Sequence, residues 1–411
     1  MNFELFIARR IRLRRDRRSA GTVIAVTGIA VAFVVMLLSI AVMLGFKHEI
    51  KQKIMGFDSQ IIVYPPQSAD MNTGAIVLDD SLRRLLDTTL PEARVSLTLV
   101  RPVIFKTPDD FQGMILRGLG SEREGAFIAG NLVEGSLPTF DPDSAANEVV
   151  VPAILARRLG LEVGEKLQSF FVQDENVKVR NFKITGVYDT HFTDYDRVYA
   201  FVRSDVLQKI AGVDSLTAAA VSLTGLGDDA AIDRATERLR EAVFQGALEG
   251  GKLYQVRSVH ETGAAYFSWL SLLDTNVTVI LILMAIVSGF TLVSSLFIII
   301  LERVNMIGIL KALGATNGRI RRIFIYVAER LVLKGLLIGN VVGCTLIALE
   351  YYFHIVPLDP ESYYLTYVPV EFSVAAWIGL NVAVVLLSAL ILILPTHIIA
   401  TIKPSRAIRY D

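Results

Sequence analysis

Four long apolar runs dominate the chain: Ser19–Phe46, Thr275–Leu301, Leu331–Phe353 and Phe372–Leu394. An α-helix rises about 1.5 Å per residue, so roughly 20 apolar residues cross the hydrocarbon layer of a bilayer. Each run therefore predicts a membrane-spanning helix. The third is interrupted by Lys334, which near a membrane edge reaches the headgroups by extending its stem. Between the first two runs the pattern changes to short stretches rich in Val, Ile, Thr and aromatics, set among polar residues, which predicts a folded soluble domain. Strands are expected at Gln60–Tyr64, Val95–Lys106, Gln112–Arg117, Glu148–Val151, Lys166–Val172, Val177–Val187, Val198–Val202 and Ala218–Leu223. Helices are expected at Asp79–Thr88, Pro152–Leu159, Ser204–Ile210 and Asp228–Gln245, with Ser204 and Asp228 as N-caps. Strands and helices mixed without strict alternation point to an α+β domain.

The organisation that follows is a basic segment at 1–20, span 1 at 21–46, an extracytoplasmic α+β domain with stalk helices at 47–267, and span 2 at 275–301. A cytosolic elbow at 302–326, span 3 at 331–353, an outer loop at 354–371, span 4 at 372–395 and a cytosolic tail at 396–411 complete it. The seven arginines between Arg9 and Arg18 place the N-terminus in the cytosol. The first run is too long for a signal peptide and lacks an Ala-x-Ala exit, which favours an uncleaved anchor. Lys47–Ile54 continues the first helix as a polar stalk. Ser258–Asp274 forms a second stalk, with Tyr266, Phe267 and Trp269 expected in an outer aromatic belt. Tyr351, Tyr352 and Phe353 are expected at the same interface. Gly335, Gly339 and Gly343 recur every four residues and share one face of span 3, where a neighbouring helix can approach closely.

The elbow carries Arg303, Lys311, Arg319, Arg321 and Arg322 against Glu302, a basic balance that also belongs in the cytosol. Met306, Ile307, Ile309, Leu310 and Leu313 recur at helical spacing and predict a short amphipathic helix on the membrane surface. Gly314 is placed to end it, and Thr316-Asn317-Gly318 reads as a turn. Physics alone leaves this segment as either an ordinary surface loop or a grip for a separate cytosolic motor.

Composition sharpens rather than redirects this picture. A 53% hydrophobic chain of 411 residues, with 41 basic and 41 acidic groups, is an integral membrane protein with a sizeable soluble part and no electrostatic leaning toward nucleic acid. The single cysteine, Cys344, lies in an apolar run, so there is neither a disulfide framework nor a thiolate metal site. The chain has no Gly-x-x-x-x-Gly-Lys-Ser/Thr loop, no His-Glu-x-x-His and no Gly-x-Ser-x-Gly elbow. Asp189, His191, Asp194 and Asp196 form the densest polar cluster, readable as a metal site or as a solvated turn before a strand. Sparse intramembrane charge argues against ion-coupled transport. Met36, Ser39, Ile40 and Met43 on span 1, with Leu283, Val287 and Phe290 on span 2, could line a lipid-accepting cavity or simply pack.

Ile307-Gly308-Ile309-Leu310-Lys311-Ala312-Leu313-Gly314-Ala315 resembles the coupling-helix motif of the FtsX-like ABC permeases, the group containing MacB and the LolC/LolE lipoprotein-releasing subunits. Phe6-Ile7-Ala8-Arg9-Arg10, Met43-Leu44-Gly45-Phe46 and Ile54-Met55-Gly56-Phe57 resemble the opening of that branch. Tyr363–Glu371 and Pro404–Tyr410 resemble its outer loop and terminus, and Glu148–Pro152, Leu155–Leu167 and Phe182–Tyr188 its periplasmic domain. The resemblance implies a MacB-like periplasmic core domain and four spans. It implies a non-catalytic subunit that pairs with a second permease copy or relative, while ATP and magnesium are bound by a partner ATPase. Coupling would run through Glu302, Arg303, Met306, Ile307, Gly308, Leu310, Lys311, Gly314 and Ala315. The implied cargo is a lipoprotein leaving the inner membrane of a diderm bacterium. Where the lipoprotein-releasing branch carries a long proline-containing loop that recruits a periplasmic carrier, Gln173–Asn181 here is short, polar and proline-free, so direct carrier capture there is not expected. A MacB-like efflux engine, a mechanotransmitter acting on a cell-wall hydrolase, and a membrane-anchored sensor or enzyme without an ATPase are the alternative readings.

Overall fold

Residues 20–66, 75–108, 110–141, 147–173 and 176–392 are described by a computed structural model. The arginine-rich start, Pro395 and the Pro404–Tyr410 motif lie outside these residues. The chain divides into two units. One runs to His48, resumes over Trp269–Pro357 and continues from Tyr367, and it holds the four spans. The other comprises Glu49–Ser268 and Leu358–Thr366, so the middle of the stretch between spans 3 and 4 belongs to the soluble unit.

Among the described residues, four helices are long and apolar enough to cross a membrane: Ala20–Phe57, Ala264–Glu302, Asn317–Phe353 and Val374–Ile391. In the membrane unit, Ile29, Phe33 and Leu37 of span 1 share a buried core with Leu292 and Leu296 of span 2, Leu331 and Val332 of span 3, and Leu380 of span 4. Span 1 meets span 3 along the three spaced glycines. A methyl group on Gly335 would stand 2.9 Å from Ile29 Cβ, one on Gly339 3.0 Å from the Phe33 ring, and one on Gly343 2.9 Å from Leu37 Cδ2. Gly45 is used the same way: its missing side chain leaves room for the Pro369 backbone, 2.5 Å from where a Cβ would stand.

Polar side chains join spans 3 and 4. Asn340 accepts from Trp377 Nε1 at 2.5 Å and donates to Asn381 Oδ1 at 2.8 Å, and Asn381 in turn donates to the Trp377 carbonyl. Ser388 donates to Glu329 at 3.2 Å. Glu350, an acid inside the third apolar run, is buried and accepts the Val356 N–H just beyond the end of its helix. Lys47 pairs with Asp274 at 2.6 Å, linking spans 1 and 2. The proposed turn at Thr316-Asn317-Gly318 is instead a helix start. Thr316 is the N-cap, and the helix runs unbroken to Phe353, so Arg319, Arg321 and Arg322 occupy its first turns. Span 4 begins at Val374 rather than Phe372.

Among the described residues the soluble unit holds thirteen strands: β1 Ile61–Tyr64, β2 Ile76–Val77, β3 Arg94–Thr98, β4 Val100–Lys106, β5 Phe111–Leu119, β6 Leu132–Gly135, β7 Glu148–Pro152, β8 Lys166–Gln173, β9 Asn176–Tyr188, β10 Tyr199–Arg203, β11 Thr217–Ala218, β12 Ala220–Thr224 and β13 Gln255–Ser258. A four-stranded sheet has the order β13-β1-β12-β3. A seven-stranded sheet has the order β6-β9-β7-β10-β5-β4-β8, and β8 also pairs with β9, which returns the sheet to itself. Closure leaves few unpaired backbone groups at edges. β10 runs parallel to β5, and β7 parallel to β9, while the other pairs are antiparallel. A largely antiparallel mixed sheet with helices set between its strands agrees with the expected α+β domain.

Several expectations need correction here. Val95–Lys106 is two strands in two different sheets, parted at Leu99. Ala218–Leu223 is likewise divided at Ala219. The strands expected at Lys166–Val172 and Val177–Val187 do form, and Val172↔Val177, Phe170↔Val179 and Gln168↔Asn181 pair as a hairpin ladder that takes in much of Gln173–Asn181. Asp228 caps its helix by accepting from Ala231 N–H, whereas the cap before Ser204 is Arg203, in extended backbone. Arg203 itself is buried, bonded to Asp205 and to the Thr139 and Asp141 carbonyls.

Candidate functional site

The elbow folds as one helix, Val304–Ala312. Ile307 and Gly308 are buried, with Ile307 in the same core as Ile320 and Phe324, and Met306 and Leu310 packed against it. Leu310 also packs on Ile323 and Val327. The apolar residues are not confined to one face, contrary to the amphipathic expectation: Ile309 is 53% and Leu313 79% exposed. Glu302 and Arg303 lie on the surface where span 2 ends. The helix closes with two bonds, Gly314 N–H to the Lys311 carbonyl at 3.0 Å and Ala315 N–H to the Leu310 carbonyl at 2.9 Å. This Schellman ending satisfies carbonyls that would otherwise be orphaned, and it needs a left-handed residue. Gly314 supplies it at φ +89°. The result is a short, firmly terminated helix, held by one side to span 3 and presenting two bare apolar side chains.

The membrane unit contains a cavity of about 250 Å³ lined almost wholly by apolar groups, among them Ile29 and Met36 of span 1, Leu281 and Gly289 of span 2, and Leu380 and Leu387 of span 4. Of the residues suggested for a lipid-accepting site, Met36 lines it. Ser39, Ile40 and Met43 are half-buried outside that lining. Leu283, Val287 and Phe290 are 53%, 49% and 71% exposed and also lie outside it. A span that is apolar on every side gives no period by which sequence could choose its cavity face.

The cluster at Asp189–Asp196 is neither a solvated turn nor a single ligand set. Asp196 is buried and accepts from Thr190 N–H at 3.1 Å and from Thr190 Oγ1 at 2.7 Å. Burial lifts its carboxyl, with Asp189 adding to the rise against the Thr190 bonds and Lys53, to about 6. Asp189 accepts from His191 N–H at 3.0 Å, and Asp194 accepts from the Tyr266 hydroxyl at 3.0 Å. Phe192 is buried among rings, 4.8 Å from Tyr195 and 5.1 Å from Tyr266. Phe57, at the end of the first helix, stacks on Tyr195 at 4.6 Å. The Tyr195 hydroxyl donates to Asp58, whose carboxyl is raised by burial despite nearby Arg117. Tyr266, expected in a membrane-interface belt, is thus part of the soluble unit's aromatic core. Among the described residues no group of three or more His, Cys, Asp and Glu is arranged to hold a metal ion. Gly56 explains its place in the motif: a Cβ there would strike the Phe127 ring at 2.4 Å.

Residues 278–404 match the family model of the FtsX-like permease C-terminal region, and residues 22–242 that of the MacB-like periplasmic core domain. The chain is similar to the lipoprotein-releasing system transmembrane protein LolC of Xylella fastidiosa strain 9a5c, 23% identical with 99% of each chain covered. It is also similar to the protein of that name from Neisseria meningitidis serogroup B, 23% identical over 98% of this chain and 97% of the other. Among solved structures, the periplasmic region of MacB from Actinobacillus actinomycetemcomitans aligns at 18% identity and a TM-score of 0.35, covering 52% of this chain and 96% of that one.

Proposed function

Since the chain belongs to the FtsX-like permeases that carry a MacB-like periplasmic core domain, we propose that it is the membrane subunit of an ABC transporter that releases lipoproteins from the inner membrane. The observation that carries this reading is the elbow helix Val304–Ala312, pinned by Ile307, stopped at Gly314, and bare at Ile309 and Leu313. A cytosolic ATPase closing on ATP pushes on that surface, and Glu302, Arg303, Met306, Gly308, Leu310, Lys311 and Ala315 frame the contact. Both termini lie in the cytosol and the α+β unit in the periplasm. A second permease subunit, identical or related, completes the complex. Catalysis resides in the ATPase, which holds ATP and magnesium, and this chain moves rather than reacts. Cargo with acyl chains leaves through apolar surface, consistent with the lining of the membrane cavity.

The decisive experiment is affinity purification of the complex in mild detergent, with identification of the bound ATPase and of lipidated cargo, followed by release in proteoliposomes. Gly314→Pro is expected to insert normally yet abolish ATP-dependent release, because proline cannot adopt a positive φ. Gly308→Pro should do the same by breaking the helix. Wild-type release by both variants, or recovery of an outer-membrane channel or a cell-wall hydrolase in place of lipoproteins, would overturn the reading.

A further inference from the structure

Leu358–Thr366 lies between spans 3 and 4, yet it is built into the soluble unit. Leu358 N–H bonds the Thr366 carbonyl at 2.9 Å, and Asp359 caps the short helix Pro360–Tyr363. Tyr364 ends that helix in the left-handed region at φ +60°. Three described non-glycine residues have positive φ, and a second of them, His191 at φ +56°, lies in the turn that carries Phe192 and Asp194. Side chains rarely adopt this conformation unless surrounding contacts impose it.

Those contacts are specific. The Tyr364 hydroxyl donates to Asp194 Oδ2 at 2.9 Å, the same oxygen that receives Tyr266. Its ring meets Phe192 edge-on at 4.9 Å. Its carbonyl accepts Lys53 Nζ at 2.7 Å, and Lys53 also donates to the Thr190 carbonyl at 2.6 Å. One residue of the loop is therefore fastened to the first stalk through Lys53 and to the core turn through Asp194 and Phe192. An ordinary surface loop needs its cap and its closing bond, and nothing in those requires Lys53 or Asp194.

We propose that Tyr364 is a positioning residue that clasps the loop between spans 3 and 4 onto the soluble unit, making cargo release depend on it while ATP hydrolysis does not. The proposal rests on the transport reading above. The two stalks already tie the soluble unit to spans 1 and 2 by chain connectivity. The clasp adds a tie to spans 3 and 4, of which span 3 continues directly from the elbow. Motion entering at the elbow can then be passed on through a rigid link rather than absorbed by a slack loop.

The test uses the full complex in proteoliposomes and reads lipoprotein released per ATP hydrolysed. Tyr364→Phe keeps the ring and removes the hydroxyl. A lost hydrogen bond to a charged group corresponds to roughly a ten- to hundredfold fall in that ratio at unchanged ATPase rate. Asp194→Ala, which also releases Tyr266, should fall at least as far, and the double variant should be no worse than Asp194→Ala alone, since both changes remove the same Tyr364–Asp194 bond. Tyr363→Phe, 45% exposed one residue away, should match wild type. A second readout is independent of cargo: amide hydrogen exchange at Leu358 and Tyr364 should accelerate in Tyr364→Phe and Asp194→Ala. Wild-type release ratios in Tyr364→Phe, fully additive losses, or unchanged exchange in both variants would overturn the clasp. A wild-type complex that hydrolyses ATP but releases no lipoprotein would sink the transport reading alone, and exchange would still judge the clasp.

Discussion

Adding one methyl group to each glycine of the span 1–span 3 face should give opposite results within a single motif. At Gly335 the new Cβ would stand 2.9 Å from both Cβ and Cγ2 of Ile29 and 3.1 Å from the Val26 carbonyl oxygen. Carbon atoms prefer about 3.5–4.0 Å. Ile29 is branched at the atom that is struck and has little rotameric freedom, so the helices themselves must separate. Overpacking of this kind costs about 1–3 kcal/mol, against a gain of up to ~1 kcal/mol for replacing glycine inside a helix. Gly335→Ala should therefore be destabilising by about 1–2 kcal/mol. Gly339→Ala, facing Phe33 Cβ at 3.1 Å and the Ala30 oxygen at 3.2 Å, should behave alike. At Gly343 the close atom is Leu37 Cδ2, and the next lies at 3.8 Å. A terminal methyl can swing aside, so Gly343→Ala should be neutral or stabilising by up to ~1 kcal/mol. Cys344, the chain's single cysteine, is half-buried against the same core and reports helix separation. Thermal labelling of that thiol with a fluorogenic maleimide should show melting shifts of about 2–4 °C per kcal/mol, downward at positions 335 and 339 and not at 343. Equal downward shifts at all three positions would refute the argument that the struck atom's freedom decides the sign.

Three other perturbations follow from the same geometry. Gly314→Ala, forced to hold φ +89° with a side chain, should cost about 1–2 kcal/mol and lower recovery of the bound ATPase, whereas Gly318→Ala, with open space around it, should leave recovery unchanged. Asn340→Leu strands the Trp377 N–H and the Asn381 amide between spans 3 and 4. It should cost about 1–2 kcal/mol, with part recovered in the Asn340→Leu/Asn381→Leu pair, as read by the same thiol assay. Asp196 titrates at about 6 in the folded chain against 3.8 in an unfolded one, so the native state holds that proton more tightly. Its stabilising share is complete below about pH 4 and gone above about pH 6, a loss of roughly 3 kcal/mol. Thermal melts across that window should slope downward with rising pH in the wild type, and more shallowly in Asp196→Asn; equal slopes would contradict the assignment.

The parts of this structure legible in sequence are those set by local composition. Thr275–Leu301 has no charge to place anywhere but in a helix across the membrane, and the four-residue spacing of Gly335, Gly339 and Gly343 marks one face of span 3. That Ile29, Phe33 and Leu37 fill the notch is a tertiary fact. Val95–Lys106 reads as one strand because Leu99, where the chain changes sheets, is as strand-prone as its neighbours and carries no turn chemistry. Thr316-Asn317-Gly318 misleads because residues that favour turns also favour helix starts. β6 and β13 escaped because Leu-Val-Glu-Gly and Gln-Val-Arg-Ser offer too few apolar residues to count. The cluster around Asp194 was visible as four polar residues, but its meaning depends on Lys53, Tyr266 and Tyr364, which nothing local connects to it.

Because Leu358–Thr366 is part of the soluble unit, that unit is not finished when its main stretch has been synthesised. Its last piece is made only after two further hydrophobic helices have left the ribosome. Final folding outside the membrane must therefore wait until the hairpin of spans 2 and 3 has been threaded, which makes the seating of Tyr364 a checkpoint on biogenesis. A chain truncated within span 3 would lack that closing piece.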